Sequence, residues 1–573
     1  MKEIFSELKI NKRVLYNVFL SILAYTGIIL YYGVNNNLNF SIYFLLLYGL
    51  ILLFFLKFNV KVDKKNKLFS LTLGIIITLA IVIGKIVNNA IPINNQMIFS
   101  LKKIIYVLLE CICLFPLTYR LLNNFYFYFN KLDLKSDNER KSYNKFFFCA
   151  WLFIFVCYLP YFWRYYPGKL TIDSYLQLQF IKDGVFTDIH PFIQTQFVGL
   201  FYNIGKILFH NENMAIAFYI IVQMIVMSCL FAYVCRFLYK RKINIKICLI
   251  TILAYALLPM YTHYSITMWK DVMFGGCFIL VLVSLLEFAL NQNKISLGQI
   301  LIFVLGILMM MFFRNNGVYI VLFMTPFIIF TFRKRKIIFA PLMIGLIAIY
   351  FIVKGPVYSM IGVSSTNSVE AFSIPLQQIA RVFALDKDVD EQSLKYLNSI
   401  MDTTKIKENY TPYISDPIKN MTNRAVVENT KDELIKTWIR LLKRYPQIYV
   451  EAYLSQTVGY WSPDVDYWTT LNQENSTNMP KILCKVIDIT ASKRLPFANL
   501  FWSIGLGFTV TLLSYTLTLY KKDKIGIAYI PFLGLWITMM LASPVYAEFR
   551  YVYGLFTGLP IIMLIPFLKY KIQ

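Results

Sequence analysis

Asp173 stands a few residues beyond the Pro167-Gly168 turn in Tyr165-Tyr166-Pro167-Gly168-Lys169-Leu170-Thr171-Ile172-Asp173-Ser174, which itself follows an apolar run. A turn there keeps the carboxylate close to a bilayer surface. In that position it is suited to take the proton from an acceptor hydroxyl. The same residue also fits an N-cap opening a helix from Ser174 to Ile181. Further along, Asp188 and His190 occur in Asp188-Ile189-His190-Pro191, a pattern able to meet a divalent cation or a phosphate. Two ligands are too few to specify a metal, and a solvated loop ending at a proline-started helix also accounts for them.

Three cations complete the polar inventory: Lys270 in Trp269-Lys270-Asp271, Arg314 in Arg314-Asn315-Asn316, and Arg550 in Glu548-Phe549-Arg550-Tyr551. Each fits a phosphate, and arginine holds one through two parallel hydrogen bonds. Each also reads as a basic residue snorkelling from a span end. Tyr460, Trp461, Tyr467 and Trp468 supply aromatic groups for an interfacial belt or a sugar platform.

These stretches must be positioned by apolar elements. The 573-residue chain is 58% hydrophobic and 15% charged, against roughly 25% charged residues in soluble domains. Apolar runs of about 17–22 residues are long enough to cross some 30 Å of hydrocarbon. The expectation is an all-α polytopic membrane protein. Spans fall near 14–33, 40–57, 69–88, 104–121, 146–164, 214–235, 247–263, 272–290, 297–313, 317–332, 337–353, 501–520, 525–543 and 551–568, about fourteen in all. The basic loops then alternate. Lys2, Lys9, Lys12 and Arg13 share a side with Lys57–Lys67, Arg120–Lys145, Arg236–Lys246, Lys294, Arg333–Lys336, Lys521–Lys524, Lys569 and Lys571. The positive-inside rule makes that side cytoplasmic and puts both termini there. No cleavable signal peptide is expected.

Pro191 to Phe209 is apolar enough to suggest another crossing, but Gln194, Gln196, Asn203 and Lys206 are costly at bilayer depth. Residues 165–213 therefore read as one outer loop, with 191–209 an amphipathic helix lying in the interface. A second outer region, 354–499, is long enough for a small folded domain, with an amphipathic helix expected over Glu433–Tyr453. In this scheme all the chemistry-bearing stretches face one compartment. The short outer loops are otherwise nearly free of basic residues, so Lys270, Arg314 and Arg550 stand out.

The net charge of +26 does not point to nucleic acid, since the basic residues lie in short loops between apolar runs. Eight of the nine cysteines lie in or beside apolar runs, Cys484 being the exception, and their spacing suggests neither a metal site nor a disulfide framework. A glycine-rich phosphate loop, His-Glu-x-x-His and Gly-x-Ser-x-Gly are all absent, which leaves ATP-driven transport and zinc proteolysis unsupported.

The combination Tyr165-Tyr166-Pro167-Gly168…Asp173-Ser174…Gln177, Gly184…His190-Pro191, Thr267-Met268-Trp269-Lys270-Asp271, Ser373–Arg381 and Phe549-Arg550-Tyr551 resembles a bacterial multipass family placed among the GT-C-type membrane glycosyltransferases. The resemblance covers roughly 146 to 568. It implies a GT-C-like core with an extracytoplasmic loop domain, and transfer of sugar from a polyprenyl-phosphate-linked donor at the outer leaflet. It makes Asp173 the catalytic or metal-binding carboxylate. It offers Asp188, His190 and Asp271 as a metal-binding or second acidic element, with a divalent cation (Mg or Mn) the one cofactor it leaves room for. Lys270, Arg314 and Arg550 then bind the donor phosphate. Tyr166, Gln177, Trp269, Asn315, Gln377 and Trp461 become candidates to contact sugar or acceptor.

The expected organisation is a four-span N-terminal module (1–145), a GT-C-like core (146–353), an extracytoplasmic domain (354–500) and three C-terminal spans (501–573). The functional expectation is an inverting glycosyltransferase of a bacterial plasma membrane, acting on an envelope glycan or other outer-face acceptor. One visible carboxylate suggests direct displacement, although Asp271 could serve as a nucleophile in a double displacement. The rivals are a transporter or flippase of lipid-linked saccharides and a non-catalytic scaffold for envelope assembly. Few ionisable residues at mid-depth (Glu110, Lys206, Glu287) weigh against a transport path.

Overall fold

From Val272 to Val283 the helix Lys270–Leu290 is apolar around its whole circumference, and a helix of that kind belongs in the middle of a bundle. In the computed structural model, all but a few of its residues are buried. Gly275 permits a close approach, since a Cβ there would lie 2.7 Å from the Tyr553 ring. The structure describes residues 12–32, 42–90, 100–136, 139–291, 295–365, 368–465, 479–491, 501–521 and 524–568. Tyr467 and Trp468, and the basic residues Lys2, Lys9, Lys294, Lys522, Lys569 and Lys571, lie outside them.

The described residues form helices and no strands, only isolated bridges. Among the described residues, nine helices are long and apolar enough to cross a membrane, or ten if the bent pair Ile245–Leu257 and Pro259–Ser265 counts as one. Four expected spans are shorter helices: Ile42–Lys57, Leu297–Phe313, Gly317–Thr331 and Ile504–Tyr520. The 50° bend falls where Pro259 breaks the hydrogen-bond ladder of the expected 247–263 span. Proline corrects a second expectation. The single helix over Glu433–Tyr453 is instead Lys431–Arg444 and Pro446–Thr457, because the residue before Pro446 is driven out of the helical region.

One large core joins the helices from Tyr143 onward, around Lys270–Leu290. The N-terminal helices Lys12–Tyr32, Ile42–Lys57, Lys64–Ala90 and Leu101–Lys131 build smaller clusters among themselves. They meet the remainder partly along Ile504–Tyr520, where Tyr126 Oη and Thr516 Oγ1 lie 2.7 Å apart. The short helices from Ser373 to Thr457 enclose a core of their own. Within it Arg381 and Glu451 form a fully buried ion pair at 2.9 Å. Phe192–Phe209 is a helix packed against Glu212–Lys240 and Leu297–Phe313.

Candidate functional site

The loop before Asp173 is fixed by its backbone. Gly168 N–H donates to Tyr165 O at 2.7 Å and takes φ +135°. A side chain there would also meet Ile220 at 2.6 Å, so only glycine fits. Lys169 N–H then donates to Ile266 O, and Met268 N–H donates to Lys169 O, both at 2.9 Å. These bonds tie the strip leading to Asp173 to the strip leading to Lys270. Ser174 Oγ donates to Met268 O at 2.6 Å, and Trp269 Nε1 donates to Thr171 Oγ1 at 2.6 Å. Helix Ile172–Asp183 is capped by Thr171, whose N–H donates to Ser174 Oγ. Asp173 is therefore not the N-cap; it lies in the first turn with its carboxylate free to face other elements.

That carboxylate is clasped by two cations. Arg550 Nη1 is 2.5 Å from Asp173 Oδ2 and Lys270 Nζ is 3.8 Å away. Burial by itself would raise the Asp173 pKa, but Lys270 and then Arg550 outweigh it and hold the carboxyl below the ordinary range. Lys270 also donates to His190 Nδ1 at 2.9 Å. An ammonium has no lone pair, so His190 accepts as a neutral ring with its proton on Nε2, an atom buried without a partner. Burial, helped by Lys270, pushes the His190 pKa down to about 3. The Arg550 guanidinium lies 5.2 Å above the Trp269 ring, which orients it toward Asp173. Its Nε is 3.7 Å from Glu548 Oε1, an ion pair without a hydrogen bond. Burial pushes the Glu548 carboxyl up to about 7, with Arg550 opposing.

Two further ion pairs back this cluster. Asp271, with no exposed side-chain surface, is paired to Arg314, which also donates to Tyr551 O at 3.1 Å. Asp188 is paired to Lys354, whose ammonium also donates to Asn315 Oδ1 at 3.0 Å, while Asn315 Nδ2 donates to Asp188 O at 3.3 Å. Asp188 Oδ1 accepts from Phe192 N–H at 3.0 Å, so the same carboxylate starts the next helix. Asp173 keeps 30% of its side-chain surface exposed, against 7% for Asp188 and none for Asp271. Of the three carboxylates, only Asp173 is open to a ligand.

The six polar stretches, far apart in the chain, thus form one chain of contacts. Asp173 meets both Arg550 and Lys270, Lys270 meets His190, Asn315 meets Asp188, Arg314 meets Asp271, and Tyr460 Oη accepts from Glu548 N–H at 3.3 Å. Sequence reasoning gave Lys354 and Glu548 no role. Lys354, like Lys270, is a lone cation at the end of an apolar run, and that was the signal that could have found it. Glu548 lay inside a recognised stretch but was passed over for its neighbour Arg550.

Other candidates stand apart from Asp173. Gln177 is buried, donating to Gln194 Oε1 at 2.6 Å and Thr195 Oγ1 at 3.0 Å. Gln377 donates to Thr411 O inside the small helical unit. Trp461 donates to Thr457 Oγ1 at 3.2 Å. Tyr166 is exposed, its ring edge against Phe162. The donors considered for a divalent cation do not converge on a point, because Asp188, His190 and Asp271 face Lys354, Lys270 and Arg314 respectively. Among the described residues no group of three or more His, Cys, Asp or Glu is arranged to hold a metal.

Fold and site together define an all-helical membrane protein with a network of charged side chains gathered around one partly open carboxylate. Residues 178–571 match the model of a family of unknown function, DUF6020, and the chain belongs to that family. The match contains every charged residue of the network except Asp173, which lies just before it. No curated protein and no solved structure matches the chain.

Proposed function

We propose that this protein is a membrane glycosyltransferase of GT-C type. It would move a sugar from a polyprenyl-phosphate-linked donor to a cell-envelope acceptor at the outer face of a bacterial plasma membrane, with about fourteen crossings and both termini cytoplasmic. The observation that carries this reading is the partly exposed Asp173 carboxylate clasped between Lys270 and Arg550. A carboxylate held that way is a weak base until something else occupies the cations. A donor phosphate is such a group: as it engages Lys270 and Arg550, Asp173 loses its partners and gains proton affinity. Asp173 then takes the acceptor's hydroxyl proton, the acceptor oxygen bonds to the sugar's anomeric carbon, and the bond from that carbon to phosphate oxygen breaks. The departing electron pair resides on the phosphate, where the two cations neutralise it. One displacement inverts the anomeric centre. Arg314 stands behind the phosphate site, committed to Asp271. The helices from Ser373 to Thr457 are assigned to the acceptor; Trp269, buried beneath Arg550, holds that cation instead of contacting sugar. No step is routed through a metal ion.

The test is sugar release from a labelled polyprenyl-phosphate-sugar by purified protein, with and without Mg²⁺ or Mn²⁺ and with candidate acceptors. Turnover lost in Asp173→Asn supports the reading. Turnover equal in both proteins, or lipid-linked sugar moved across vesicle membranes without release, overturns it in favour of a transporter.

A further inference from the structure

Helix Gly317–Thr331 starts beside Arg314 and Asn315 and runs away from the site for its fifteen residues, about 22 Å at 1.5 Å per residue. At its far end the chain turns through Arg333–Arg335 and opens a cavity of about 530 Å³. Arg333, Lys334, Arg335 and Lys524 form the cavity's basic wall. Among the described residues none of the four is in an ion pair. Among the described residues, Glu287, the chain neighbour of the lining residue Phe288, is paired with Arg241 and Lys240. The rest of the lining is mostly apolar. Phe327 and Phe330 lead out of the cavity onto the bundle surface with 42% and 73% exposure, and Tyr515 and Leu519 continue that lining.

Four cations without an ion-pair partner among the described residues, together with apolar side chains lining the same cavity, form an amphipathic receptor. Charge complementarity calls for an anion, and the exposed phenylalanines call for hydrocarbon joined to it. A cavity of this volume is in the range that encloses a small polar headgroup. We propose that this cavity binds an anionic glycerophospholipid, its phosphate against Arg333, Arg335, Lys334 and Lys524 and its acyl chains along Phe327 and Phe330. The site lies at the opposite end of the bundle from Asp173 and is independent of the proposed sugar transfer. A lipid seated there would bridge Gly317–Thr331 and Ile504–Tyr520, which both already pack on the turn Lys524–Tyr529.

The experiment measures binding of a fluorescent short-chain phosphatidylglycerol to the full-length protein in neutral detergent. Competitors are unlabelled phosphatidylglycerol, phosphatidylcholine, glycerol phosphate and inorganic phosphate. The expected result is saturable binding displaced by phosphatidylglycerol alone. Removing each cation should weaken it about fivefold, so Arg333→Ala/Arg335→Ala should lose about 25-fold. Lys61→Ala/Lys64→Ala removes equal charge from exposed positions outside the cavity and should leave affinity within twofold. Phe330→Asp should weaken binding with every cation in place. Melting temperatures without lipid identify any variant that has failed to fold, and Arg335→Gln, which keeps shape and polarity, then replaces it. Equal loss in the two double variants would reveal only a general surface charge and overturn the proposal. Displacement by inorganic phosphate at matching concentration would also overturn it, since the site would then read phosphate and not a lipid.

Discussion

Asp173→Asn separates the proposed chemistry from a purely structural salt bridge, because the two predict opposite changes in phosphate affinity. The carboxylate is 2.5 Å from Arg550 and 3.8 Å from Lys270. At 3.8 Å a pair of unit charges is worth roughly 1 kcal/mol in bulk water and roughly 4 kcal/mol at an effective dielectric of about 20. The 30% exposure of Asp173 favours the lower part of that range. Asparagine keeps the shape and one acceptor oxygen while removing the charge that competes with a donor phosphate. Polyprenyl phosphate should therefore bind about tenfold tighter, equivalent to about 1.4 kcal/mol. Sugar transfer should fall about 10²- to 10⁴-fold, the usual contribution of a positioned base. Equilibrium binding of polyprenyl phosphate and release of labelled sugar, measured on the same detergent-purified protein, give both quantities. Weaker phosphate binding together with intact transfer would refute the reasoning, for it would mean that Asp173 only aligns Arg550.

Two other perturbations test the surrounding network. Asp271→Ala leaves the Arg314 guanidinium buried without its carboxylate and should cost about 3–5 kcal/mol of stability. Asp271→Ala/Arg314→Ala should recover part of that cost in denaturation measurements in detergent, and a cost below about 1 kcal/mol for the single variant would contradict the burial of the pair. The pH dependence should contain two opposing contributions. Glu548, raised from 4.5 to about 7, destabilises the fold as pH climbs through that interval, because the unfolded chain loses its proton first. His190, lowered from 6.5 to about 3, destabilises it as pH falls below 6.5, because the unfolded chain gains a proton first. Between pH 7 and 4.5, Glu548→Gln should thus lose melting temperature on acidification more steeply than wild type, and His190→Gln should gain. Parallel curves for all three proteins would show that neither group feels the environment described.

Three cations of the network were readable from an expected topology in which the short outer loops are nearly free of positive charge. Lys270, Arg314 and Arg550 broke that pattern, and each lies in the network. The partnerships were not readable. Asp271 follows Lys270 directly, yet successive residues on a helix point in different directions, and Asp271 turns inward to Arg314 while Lys270 reaches Asp173 and His190. Gln177 looked suited to a sugar, but its amide is spent on Gln194 and Thr195. The single helix expected over Glu433–Tyr453 failed because its apolar spacing runs through Pro446 without interruption, and spacing carries no information about a missing N–H.

What the sequence determined by itself was the solvent each segment prefers. Its apolar content and the length of its runs require helices that satisfy their own backbone groups, and its proline and glycine positions mark several of the breaks. Only the tertiary structure decided which charges meet. Asp173 and Arg550 are separated by most of the chain, and their distance depends on how Tyr553–Ile562 and Phe549–Val552 pack against Lys270–Leu290. Close packing of irregular side chains, such as Tyr553 over Gly275, sets that arrangement. Hydropathy fixes how deep a residue lies, whereas the partner across the bundle is fixed by shape.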